Sequence, residues 1–173
     1  MKTNNILMGV LVAVIAVMGV AFAAFSTTLN INGTATISSE WNVSFEAGTC
    51  SNTTQKDSGK ASTGTVSVSG TTATVVANMA SPGDVLTCTV KAKNNGTLAA
   101  IRDSWEITQA VSDSTSYTVA VSAPTATTLA AKNGSTIASE TLTMTITYKS
   151  SVTAKPTSAA TFKAVATYKQ AGV

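Results

Sequence analysis

The chain has 173 residues, enough for one domain or for two small ones. Charged residues make up only 11%, under half of the roughly 25% usual for soluble domains, whereas 31 Thr and 20 Ser supply most of the polarity. The absence of His removes His-based triads, zinc-protease motifs and His general bases, and a net charge of +3 on eleven scattered Lys/Arg is too sparse for a surface that tracks phosphates.

Met1 and Lys2 place positive charge ahead of an uncharged apolar run, Ile6 to Phe25, whose 20 residues would span about 30 Å as a helix. Ala21 and Ala23 stand at the −3 and −1 positions of a signal-peptidase cut before Ala24. Two other routes stay open: an uncleaved membrane anchor, and a prepilin-peptidase cut after Gly9 that keeps a helix from Val10 as a filament core. All three put the remainder outside the cytoplasm, secreted or on the cell surface. The expected organisation is a signal peptide or membrane/filament helix over 1–23, an N-terminal strand over 24–37, and a β-sandwich domain over 38–173. In an exported chain the lone pair Cys50 and Cys88 reads as a disulfide.

Period two dominates after Ala24. Phe25, Leu29, Ile31, Ala35 and Ile37 share one parity and Ser26, Thr28, Asn30, Asn32, Thr34 and Thr36 the other, which is the pattern of a half-buried strand. Trp41, Val43, Phe45 and Ala47 continue that parity and are expected to face inward, both Trp41 and Trp105 as core anchors. The polar stretch from Gly48 to Gly64 predicts a loop. Val66 and Val68 predict a short strand, Ala73 to Met79 another, and Ser81-Pro82-Gly83-Asp84 a turn. Leu86, Cys88, Val90 and Ala92 alternate with Thr87, Thr89, Lys91 and Lys93, and Asn94-Asn95-Gly96 then predicts a hairpin.

Next come Ile101, Trp105 and Ile107, in a stretch (LAAIRDSWEI) that is also the best helical candidate, then Tyr117, Val119 and Val121. Leu142, Met144, Ile146 and Tyr148 form one further inward face and Phe162, Ala164, Ala166 and Tyr168 the last. The fold class that follows is all-β, an antiparallel sandwich or jelly roll behind an N-terminal hydrophobic export helix.

Three segments resemble the TasA/camelysin family of exported matrix-fibre proteins: AAFSTTLNINGTATISSEWNVSFEAGT, MASPGDVLTCTVKAKNNGTLAA, and the ending TYKSSVTAKPTSAATFKAVATYKQ. The resemblance implies a jelly-roll subunit that polymerises head-to-tail with itself outside the cell, as in a biofilm matrix fibre or pilus, with a membrane or cell-envelope protein anchoring the base. It also implies donor-strand exchange, in which the N-terminal strand of one subunit completes the sheet of the next. A strand with one apolar face at a freed terminus suits that role on physical grounds, and Phe25, Leu29, Ile31, Ala35 and Ile37 form the candidate donor face. The long Ser/Thr stretch after Cys50, the cysteine pair and the shortage of acidic residues depart from the family pattern.

No catalytic, metal-binding or cofactor-binding residue is expected. The metalloprotease label that family members have carried finds no His and no HExxH here. The eight carboxylates stand mostly isolated in sequence, and no D-x-D-x-D-G run suits calcium. Five Asn-x-Ser/Thr triplets begin at Asn32, Asn42, Asn52, Asn95 and Asn133, and Lys149, Lys155, Lys163 and Lys169 are expected at strand faces or turns. The expectation is a structural subunit with no nucleic-acid partner and no small-molecule substrate. The alternatives are a type IV-like pilin with its helix retained from Val10, and a membrane-anchored surface adhesin or binding module.

Overall fold

A computed structural model describes residues 39–126, 128–154, 156 and 158–172. The export segment with Ala21, Ala23 and Ala24, the expected strand over 24–37 with its donor face, and Lys155 lie outside the described residues.

Nine strands follow one another: β1 (Val43–Thr54), β2 (Thr63–Ser69), β3 (Thr72–Asn78), β4 (Val85–Asn94), β5 (Ala100–Gln109), β6 (Tyr117–Ser122), β7 (Thr128–Leu129), β8 (Ala138–Tyr148) and β9 (Ala160–Gln170). They form two antiparallel sheets, ordered β1-β4-β8-β6 and β2-β3-β9-β5-β7. Only the β2–β3 link stays within one sheet; every other connection crosses to the opposite layer. There Gly70 takes φ +57° in the two-residue link between Ser69 and Thr72, a conformation that costs a residue with a Cβ.

Alternation builds the core. Leu86, Cys88, Val90 and Ala92 of β4 lie opposite Ile146, Met144, Leu142 and Glu140 of β8, and all eight are buried. From the other sheet, Ala73, Val75 and Ala77 of β3 pair with Ala164, Phe162 and Ala160 of β9. Small residues on β3 and β9 thus leave room for the larger Leu, Met, Ile and Tyr side chains of the facing sheet, and each such side chain fully buried contributes about 1.5–3 kcal/mol.

Several expectations are corrected. The Ser/Thr stretch after Gly48 is strand: β1 continues to Thr54, and only residues 55–62 form the loop before β2. A bulge explains why the alternation changes there. Glu46 is paired with Lys91 and Thr49 with Thr89, so three steps on β1 match two on β4. The extra residue flips the faces: Ala47 is exposed, while Gly48, Cys50 and Asn52 turn inward.

LAAIRDSWEI is β5, not helix, and its irregular period comes from shifts between Arg102 and Ser104 and between Ile107 and Gln109. The Asn94-Asn95-Gly96 turn is no hairpin, because β4 and β5 belong to different sheets. Buried Asn94 explains it: its amide donates to Leu98 O (2.8 Å), Leu129 O (3.0 Å) and Ala130 O (3.2 Å), and its oxygen accepts from Gly96 N–H (3.0 Å). Trp105 packs edge-on to Phe45, with ring centroids 5.8 Å apart, and donates to Thr143 O. Trp41, by contrast, is 44% exposed and is no core anchor.

Candidate functional site

Cys50 and Cys88 sit directly opposite each other on β1 and β4, with Cα atoms 3.9 Å apart, and are joined as a disulfide. β1 is the edge of its sheet, so the bond pins an edge strand to the central β4. In the loop-entropy view a closed loop of this length adds about 4 kcal/mol.

Two polar centres lie inside the sandwich. Asp84, fully buried after the Pro-Gly turn, accepts from Ser62 Oγ (2.6 Å), Lys56 N–H (2.8 Å) and Ser81 N–H (3.2 Å), which fastens the loop over 55–62 to the start of β4. Ser62 in turn accepts from Ala80 N–H. Nearer the other end, Glu140 of β8 meets Arg102 of β5 (Nε to Oε1 3.1 Å) and Tyr168 of β9 (OH to Oε1 2.7 Å). Arg102 also donates to Pro124 O at 2.6 Å. Burial, then the bond to Glu140, pushes the Tyr168 phenol far above its usual range.

These two centres were missed as sites, yet a signal existed for two of their members and for Asn94. Glu140 and Tyr168 continue the inward parities of β8 and β9, and Asn94 that of β4, so each polar group is aimed at the interior. Only a tertiary partner can satisfy such a group. Asp84 carried no such mark, because a turn Asp normally faces solvent.

The remaining charged residues scatter. Asp103 and Glu106 lie on a strand without converging; Asp103 pairs with Lys169 at 2.7 Å near the surface, and Lys149 donates to Ser114 O. Among the described residues no three His, Cys, Asp or Glu side chains converge to hold a metal ion. Asn133 is exposed on its turn, whereas the side-chain oxygen and nitrogen of Asn52 are buried without a described partner.

The surface features that remain are sheet edges. β2 (TGTVSVS) and β6 (YTVAVS) each end a sheet and carry no charged residue, the usual device against strand pairing. On the far side, β7 covers β5 only at Ala100 and Ile101. A groove of about 330 Å³ opens beside β9, bounded by Trp41, Val43, Gly70, Thr71 and Tyr168.

Fold and site together define a disulfide-pinned all-β protein of two antiparallel sheets, each ending on one side in a strand without charge, β2 or β6. Comparison with family profiles, with curated proteins and with solved structures returns no match for this chain.

Proposed function

We propose that this chain is a structural subunit of an extracellular or cell-surface filament, a jelly-roll type of β-sandwich that assembles head-to-tail by β-strand complementation. The observation that carries the reading is the pair of uncharged edge strands, β2 and β6, whose outer backbone groups have no strand partner among the described residues. An added strand would satisfy those groups and extend a sheet at once. The disulfide supports an oxidising, extracytoplasmic setting. The resemblance to the TasA/camelysin fibre proteins and the alternating segment Phe25 to Ile37 point the same way and make that segment the donor.

The test is assembly of the exported chain, followed by electron microscopy and sedimentation, with and without residues 24–37. Filaments that vanish with the deletion are expected. A protein that stays monomeric under all assembly conditions would sink the proposal, and filaments that persist after the deletion would remove the donor role.

A further inference from the structure

We infer that the turn from Asn133 to Thr136 is a site of self-modification, where Asn133 is deamidated through its own backbone while the chemically equivalent Asn95 is protected by the fold. The inference stands apart from the filament reading. Asn-Gly is the dipeptide least hindered for this chemistry, because glycine has no Cβ beside its nitrogen. The chain carries it at Asn32, Asn95 and Asn133, the first of which lies outside the described residues.

Water is the only co-reactant. The Gly134 nitrogen gives its proton to solvent and attacks the side-chain carbonyl carbon of Asn133. A bond forms from Gly134 N to Cγ and the bond from Cγ to Nδ2 breaks, the departing nitrogen taking up a proton to leave as ammonia. Water then opens the cyclic imide at one of its two carbonyls, which yields an aspartyl or an isoaspartyl residue. No oxidation or reduction occurs.

The two described pairs are neighbours in space, since Lys132 N–H donates to Gly96 O at 2.9 Å, yet their surroundings are opposite. Around Asn95 the backbone is fully engaged. Its own N–H donates to Asn42 O (2.7 Å), Gly96 N–H to Asn94 Oδ1 (3.0 Å) and Thr97 N–H to Glu40 O (2.9 Å). Gly96 and Asn94 are both buried, and the Asn94 amide is spread over three carbonyls. To free the Gly96 nitrogen, the chain must break a buried network that joins β4 to the segments before β5 and after β7.

Asn133, Gly134, Ser135 and Thr136 are all exposed, and no backbone acceptor among the described residues holds Gly134 N–H. An ideal Cβ on Gly134 would meet nothing within 4 Å, so solvent reaches the nitrogen freely. Gly134 takes φ +57° at the first central position of the turn, as a type II′ turn requires. Asn133 and Thr136 exchange bonds of 3.1 and 2.9 Å, and no further pair extends that ladder. Such an isolated, solvated pair opens at little cost, which gives the side chain the freedom to meet the Gly134 nitrogen. The isoaspartyl product lengthens the main chain by a carbon and breaks the Asn133–Thr136 match, whereas the aspartyl product keeps it and adds a negative charge beside Lys132.

The test incubates the full chain, folded or unfolded in urea with reductant, at mildly alkaline pH in heavy-oxygen water. Trypsin then separates residues 94–102 from 133–149, and mass spectrometry follows oxygen uptake at each asparagine. Unfolding is expected to speed Asn95 by at least about tenfold more than Asn133, a difference of about 1.4 kcal/mol in the two openings. Both aspartyl and isoaspartyl products are expected at position 133 of the folded chain. Equal acceleration of the two sites, or a greater one at Asn133, would overturn the assignment. An exclusively aspartyl product would replace the cyclic imide by direct hydrolysis and would overturn it as well.

Discussion

The phenol of Tyr168 on β9 donates to Glu140 on β8 at 2.7 Å, joining the two sheets through the layer between them. Arg102 reaches the same carboxylate from β5, so three strands of two sheets converge on one buried acceptor.

Removing that phenol should cost stability without opening the sandwich. Tyr168→Phe takes away a hydrogen bond to a charged group, worth about 1.5–3 kcal/mol, while Arg102 still holds Glu140. Burial and the Glu140 bond hold the Tyr168 proton more tightly in the folded protein than in the unfolded one. Its contribution is therefore complete below the ordinary tyrosine pKa of about 10 and fades as pH rises above it. Burial raises Tyr117 and Tyr148 in the same direction, so the variant should flatten the alkaline loss of stability rather than abolish it. Urea unfolding of both proteins across pH about 9–12 measures the difference.

Reduction of Cys50–Cys88 should lower global stability by about 4 kcal/mol, and Cys88→Ser should match it if the buried hydroxyl is tolerated. Since the bond ties the edge strand β1 to β4, amide exchange should quicken first in β1 and remain slow in β8. Thermal melts with and without reductant, followed by exchange mass spectrometry, check both parts.

Asp84→Ala should cost about 3 kcal/mol or more, because Ser62, Lys56 N–H and Ser81 N–H all lose their acceptor beneath a closed loop. Asp84→Asn keeps the shape but replaces one acceptor with a donor, and should fall between. Faster exchange confined to residues 55–62 would mark the loop's release; a loss spread evenly through the sandwich would contradict this role.

Gly48→Ala tests the bulge in β1. A Cβ at this position would stand 2.5 Å from Thr89 O and 2.8 Å from Val90 Cγ1, so β1 must shift or strain. A loss of about 1–3 kcal/mol is expected from such overpacking. Denaturant midpoints for this variant and for Ala47→Gly at the exposed neighbouring position separate crowding from general loss at the edge.

What the order of residues settled by itself was the class of structure and the faces of its strands. The parities of β4, β8 and β9 could be seen directly, because side chains alternate strictly and a two-sided sandwich demands apolar residues on one face. The even cysteine count likewise foretold the disulfide. Partners were decided only in three dimensions. Asn94-Asn95-Gly96 has the local chemistry of a hairpin, yet β4 pairs with β1 and β8, since in this topology the stabilising neighbours are nearly all remote in sequence.

The bulge at Gly48 and the two in β5 were hidden for a related reason: an inserted residue is defined by the partner strand it fails to match. Burial of Asp84 and Glu140 also belongs to the tertiary level, because a carboxylate can leave water only where donors from other segments already converge.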